Sequence, residues 1–170
     1  MLNASASVWA DVACVLASVL AACLTAFLTV RATRLLVAQT TWARQLHHVL
    51  RSELHGASSS QLVLLAVLAA CSEELLFRAA LGPSLGVLEA SVLFGLVHLP
   101  GRDCGPLRAG WAFVMGLFFS GLYFASGTLL TPMLAHALIN YENMQYICNY
   151  DPTPVDIDRF SVGREYESDR

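Results

Sequence analysis

Three short polar clusters stand inside stretches that are otherwise apolar enough to cross a membrane. They are Glu73-Glu74-Leu75-Leu76-Phe77-Arg78, Phe94-Gly95-Leu96-Val97-His98 and His136-Ala137-Leu138-Ile139-Asn140. Ionisable groups in spanning helices are costly and rare, and where they occur they face one another or a wet cavity. Three such clusters on three separate apolar segments point to one buried catalytic site assembled from several helices.

Spacing divides the work among them. Each helical step turns about 100°, so Glu74 and Arg78 share a face and can pair. Glu73 is out of phase with Arg78 and is left to point elsewhere. A carboxylate so placed can act as general base toward water; the plainer reading is a charge network that only stabilises the helix. His136 and Asn140 lie on one helical stripe, which Asn143 continues. Two convergent hydrogen-bond donors suit the oxyanion that develops at a tetrahedral carbon, although the same pair could simply tie helices together. His98 alone would read as a satisfied core histidine and takes its weight from the other clusters. Glu89 is half a turn out of phase with His98 and faces away, as Glu142 does from the His136 stripe. Cys71 is the nearby thiol that could act as a nucleophile. It lies about 200° round the helix from Glu73 and should face away.

The elements that must position these groups follow from composition. Hydrophobic residues make up 56% of the 170-residue chain and charged ones 14%, against about 25% charged in a soluble domain. The net charge of -3 comes mostly from the tail after Asp151, and no basic field suits nucleic acid. All ten basic residues are arginine. The cysteines, Cys14, Cys23, Cys71, Cys104 and Cys148, form no Cys-x-x-Cys pair, so they read as small buried hydrophobes and not as a zinc ribbon or disulfide framework.

An all-α, polytopic membrane helix bundle is expected, with about five transmembrane helices and one interfacial amphipathic helix. About 20 apolar residues span the hydrocarbon core. Val8 to Val30 is the first such run; its positive charges follow it, which favours a retained anchor over a cleaved signal. Thr41 to Leu54 has Trp42, Leu46, Val49 and Leu50 at helical spacing among polar residues, the pattern of a helix in the headgroup region or of a solvated connector. The other spans are Gln61 to Leu81, ended by Gly82-Pro83; Ser84 to Leu99, slightly short; Ala109 to Ser126; and Thr128 to Cys148. Residues 1–60 thus form an anchor and connector, 61–148 the core and 149–170 a polar acidic tail. The loop arginines fall on one side, in Arg31–Ser60, Pro100–Arg108 and the tail, which places the N-terminus outside by the positive-inside rule. In the fourth segment Gly116, Ser120, Gly121 and Ala125 allow close helix approach or a dimer face. The depths do not match. Measured from Gly82-Pro83, Glu73 lies about 12 Å inward and His98 about 21 Å, so tilt or a shifted third helix must close the gap.

Order and spacing of the clusters resemble the CAAX protease and bacteriocin-processing family, also called CPBP or Abi, which includes the type II CAAX prenyl proteases. Its pattern is Glu-Glu-x-x-x-Arg, Phe-x-x-x-His and His-x-x-x-Asn within membrane helices. Glu73, Glu74 and Arg78 match the first, Phe94 and His98 the second, His136 and Asn140 the third. The stretch Ser126 to His136 is also similar to the family's approach to its last motif. The resemblance covers about residues 61 to 145 and implies an intramembrane endopeptidase acting on a membrane-associated or lipid-modified protein. It implies Glu73 as the base, His98 as its partner, His136 and Asn140 as oxyanion donors, and Glu74 and Arg78 as supports. No cofactor is expected. A zinc metalloprotease that ligates the metal through Glu73, His98 and His136 is the alternative, and a non-catalytic immunity or scaffold protein is a third. Small size and the lack of organelle-targeting features point to a bacterial inner membrane. The substrate is open: a prenylated protein, a bacteriocin leader or a sorting-tag protein.

Overall fold

In a computed structural model the chain is described at residues 2–99 and 104–152, with side chains from residue 11 onward. Positions 100–103 of the expected inner loop, and the acidic tail beyond Pro152, lie outside the described residues. All described elements are helical: α1 (Leu2–Gln39), α2 (Thr41–Glu53), α3 (Ser59–Glu74) running on as a π-helical segment (Leu75–Leu81), α4 (Gly82–Leu85), α5 (Val87–Val97), α6 (Gly105–Ser126) and α7 (Leu130–Asn149).

The packing inverts that of a water-soluble domain. Small residues form the contacts: Ala22, Ala26, Ala66, Ala70, Ala112 and Ala135 are buried. Large apolar side chains point outward, among them Leu20 and Leu24 on α1, Leu64 and Leu68 on α3, Leu88 and Val92 on α5, and Phe124 on α6, which is 68% exposed. Lipid tails solvate such side chains as well as a core does, while small residues let backbones approach. The chain is therefore a helical membrane bundle. Asp11–Gln39 and Gly105–Ser126 are each long and apolar enough to cross a membrane.

The first helix is longer than the run from Val8 to Val30, since Arg31 and Arg34 continue it. Ser18, Ala22, Ala26 and Val30 recur every fourth residue on its buried stripe, and α7 packs along it. α1 thus belongs to the same bundle as the polar clusters. Cys14 and Cys23 lie on the outward face of α1 and are exposed, contrary to the expected burial; Cys71, Cys104 and Cys148 are partly covered.

Ser58 starts α3 with a capping box, its hydroxyl receiving Gln61 N–H while the Gln61 side chain accepts Ser58 N–H. Gly82-Pro83 does not end this rod. Proline is tolerated in a first helical turn, and the chain stays helical to Leu85. The break falls at Gly86, whose φ of 106° favours a residue without Cβ. This removes the depth mismatch. Counted from Gly86, Glu73 lies about 20 Å along one helix and His98 about 18 Å along the other.

The third apolar segment is also shorter than Ser84 to Leu99. α5 has 11 residues, about 16 Å of helix, roughly half the 30 Å hydrocarbon core. α5 is held tightly against α6. A Cβ on Gly95 would sit 2.9 Å from the Ala109 carbonyl, and one on Gly116 would sit 3.1 Å from Ser91 Cβ. Of the two small-residue pairs on α6, Gly116 and Ser120 are buried, whereas Gly121 and Ala125 face outward.

α2 is less simply amphipathic than its sequence. It buries Ala43, Leu46 and also His47, whose Nε2 lies 2.9 Å from the Tyr150 carbonyl. Burial pulls the pKa of His47 below its ordinary 6.5, keeping the ring neutral. Arg51 donates to the carbonyls of Ile147 and Cys148, both at 2.7 Å, and so caps the C-terminus of α7. α2 is thus tied to the end of α7 and does more than rest at the interface.

The arginine bias makes a checkable statement about orientation. In a chain whose native cysteines are replaced, a cysteine introduced at Ser84 is expected to label from the outer face only, and one at Ser58 from the inner face only. The opposite labelling would overturn the assignment.

Candidate functional site

α7 runs through the middle of the bundle, against α1, α3 and α6, and brings His136 to the polar turn of α3. Glu74 is fully buried. Its Oε1 accepts a hydrogen bond from His136 Nδ1 at 2.8 Å and lies 3.2 Å from Arg78 Nη1. Arg78, also buried, donates from Nη2 to the Gly116 carbonyl at 3.1 Å. Its guanidinium sits over the rings of Phe94 and Phe119, at 4.8 and 5.4 Å. Buried charges need such pairing and hydrogen bonding, and aromatic faces add to it.

This arrangement fixes the His136 ring on several sides. Phe119 stacks on its face with centroids 4.5 Å apart, and Glu74 holds Nδ1. The remaining nitrogen, Nε2, points toward Glu73 Oε2 at 3.7 Å. Sequence spacing assigns Glu74 to Arg78 and away from the site. The pair does form, but the same carboxylate also orients His136. The cause is the packing of α3 on α7, which sets the imidazole between the two adjacent glutamates.

Glu73 is partly open, and it lines a cavity of about 340 Å³ together with His98, His136 and Asn140. The walls come from several elements: Leu65 and Ala69 of α3, Trp111 and Met115 of α6, Leu50 of α2 and Ile139 of α7. Phe94 and His98, at the C-terminal end of α5, line it from that side. His98 is the C-cap of α5, and its Nδ1 lies 2.7 Å from the Phe94 carbonyl. A carbonyl only accepts, so Nδ1 carries a proton, and the neutral ring has its lone pair on Nε2. Asn140 is half-buried on the α7 stripe, and Asn143 reaches the same cavity.

Neither Cys71 nor Ser72 lines this cavity. The Ser72 hydroxyl is committed to the Leu68 carbonyl at 2.8 Å. Glu89 is exposed and also lies off the cavity. Among the described residues no three His, Cys, Asp or Glu side chains are grouped to hold a metal ion.

Two further cavity residues give no signal in the sequence. Glu53, the last residue of α2, and Arg108, near the start of α6, both line it, with Arg108 Nη2 2.8 Å from Glu53 Oε1. Both belong to segments that read as loops or connectors, where a charged residue is ordinary. Phe119, which supports His136, lies within a uniformly apolar run and is equally silent.

A family model described as "Type II CAAX prenyl endopeptidase Rce1-like" matches residues 56–141. That range takes in all three polar clusters and starts near the N-cap of α3. No curated protein and no solved structure matches the chain.

Proposed function

The chain belongs to the type II CAAX prenyl endopeptidase Rce1-like family, and from that premise we propose that it is an intramembrane endopeptidase whose water is activated by Glu73. Its substrate is a membrane-associated or lipid-modified protein, presented to the cavity from the bilayer of a bacterial inner membrane. The observation that carries this reading is His136, held between Glu74 and Glu73 at the wall of a cavity that His98 and Asn140 share.

Glu73 accepts a proton from water as the water oxygen attacks the scissile carbonyl carbon. The His98 Nε2 lone pair helps to orient that water. Asn140 donates from its amide to the oxyanion. His136 donates from Nε2 when both its nitrogens carry protons, Nδ1 remaining on Glu74. In that state two carboxylates face a guanidinium and an imidazolium, and the buried cluster is neutral overall. On collapse of the tetrahedral intermediate the C–N bond breaks, and Glu73 returns its proton to the leaving amine. Preorganised donors of this kind act strongly in a water-poor site.

No thiol and no metal has a step in this scheme. Cys71→Ala is expected to keep cleavage of the substrate within about twofold of wild type. A strong chelator in detergent or liposomes is expected to leave the rate unchanged. Loss of activity in Cys71→Ala would indicate a covalent route, and chelator inhibition reversed by Zn²⁺ would indicate a metalloprotease.

A further inference from the structure

The pair formed by Glu53 and Arg108 stands at the cavity wall on the α2 side. It joins two elements that share little other contact, the end of α2 and the first turns of α6. Among the described residues Arg108 is the one arginine or lysine that lines the cavity. Its partner Glu53 is about half exposed at the side chain. An ion pair this open contributes only about 0–1 kcal/mol, so another carboxylate can displace it at small cost. The Arg108 fork is also incompletely used. Glu53 engages Nη2, while the buried Nε has no hydrogen-bond partner. A guanidinium binds a carboxylate best through two parallel N–H groups.

We propose that Arg108 receives a carboxylate of the substrate, and that Glu53 occupies this position in the resting protein. The inference rests on the endopeptidase reading and adds a determinant of which chains are cleaved. On binding, the substrate carboxylate replaces Glu53 on the Nε and Nη2 edge, and Glu53, at the end of an interfacial helix, turns to water. The carboxylate belongs either to the substrate's C-terminus or to an acidic side chain near the scissile bond. Arg108 recognises both through the same chemistry, and the experiment separates them.

The full chain carrying Glu73→Gln, reconstituted in nanodiscs, is titrated with fluorescent, lipid-anchored peptide libraries randomised at the last residues. One library has free C-termini, one has amidated C-termini, and each is made with and without Asp and Glu. A carboxylate-bearing library is expected to bind about tenfold or more tighter than the neutral one, the size of one charge-assisted contact. Loss of the preference on amidation assigns the terminal carboxylate; loss on omitting Asp and Glu assigns a side chain. Adding Arg108→Gln should bring the ratio close to one, and Arg108→Lys should keep part of it. Adding Glu53→Gln should tighten the carboxylate library about threefold or more by removing the internal competitor. A structural bridge would show the opposite, because losing either partner would weaken every library alike.

Equal affinity for charged and neutral libraries overturns the proposal, as does a ratio unmoved by Arg108→Gln or weaker binding with Glu53→Gln. The Glu53→Gln arm keeps it testable if Arg108→Gln fails to fold. The same libraries are then offered to the chain with Glu73 intact. Cleavage without a carboxylate preference rejects the role of Arg108 alone. A carboxylate preference in binding with no cleavage of any library rejects the endopeptidase reading alone.

Discussion

Glu73→Gln is expected to lower turnover about a thousandfold or more and to leave the fold in place. The amide keeps the shape of the carboxylate but cannot accept the water's proton, and a positioned general base contributes about 10²–10⁴-fold. Glu73 is suited to this test because it stands at the open edge of the charge network and makes none of its short contacts. It is partly exposed to the cavity, and its contact with His136 is long, at 3.7 Å. The fully buried carboxylate, Glu74, keeps its own partners, Arg78 and His136, in the variant. The variant should therefore unfold at the wild-type temperature and still bind substrate. The measurement is single-turnover cleavage in liposomes beside thermal unfolding of the same preparation. Substantial cleavage by a well-folded Glu73→Gln protein would reject Glu73 as the base.

The outline of the site is legible in the sequence because membrane-embedded polar residues stand out against their surroundings. Glu73, Glu74, Arg78, His98, His136 and Asn140 draw attention because nothing in an apolar run explains them. The rotation per residue then separates Glu73 from Glu74 correctly as far as Arg78 is concerned. What it does not supply is how α3 sits against α7, since one sequence carries no information on which faces of two helices meet. The Glu74–His136 hydrogen bond depends on that contact. It changes Glu74 from a partner of Arg78 into the group that sets the His136 ring.

The break before α5 is misplaced by sequence reasoning for a different reason. Gly82-Pro83 is the strongest local punctuation in that part of the chain, but proline breaks a helix only where its missing N–H is needed. The π segment before it and the short α4 after it carry the rod on to Gly86. Those few residues move the origin of the depth count and bring Glu73 and His98 to similar depth. π segments are often found at functional sites, and this one directly follows Glu74. Glu53, Arg108 and His47 escape notice because a charged or polar residue outside an apolar run is ordinary until its neighbours are known.

Arg78→Met is expected to destabilise the bundle by about 3–5 kcal/mol, the usual consequence of leaving one member of a buried pair without its partner. Glu74 would stay fully buried with its Oε2 already lacking a hydrogen bond, and the Gly116 carbonyl would lose the donor it receives from Arg78. Methionine fills much of the space between Phe94 and Phe119, so packing loss is a minor part of the effect. The double variant Glu74→Leu with Arg78→Met removes both charges together. It should recover much of the lost stability, because two apolar groups suit this interior and no charge is stranded. Residues in one network couple by up to about 3 kcal/mol, and the cycle measures that coupling directly from unfolding in detergent. Activity should not return with stability. His136 Nδ1 would have no acceptor in the double variant, the ring would lose the contact that aims Nε2 at the cavity, and turnover should stay low in a folded protein. A double variant as unstable as the single one would mean that the cost of Arg78→Met lies in packing and not in the stranded carboxylate. A stable and fully active double variant would mean that Glu74 does not position His136.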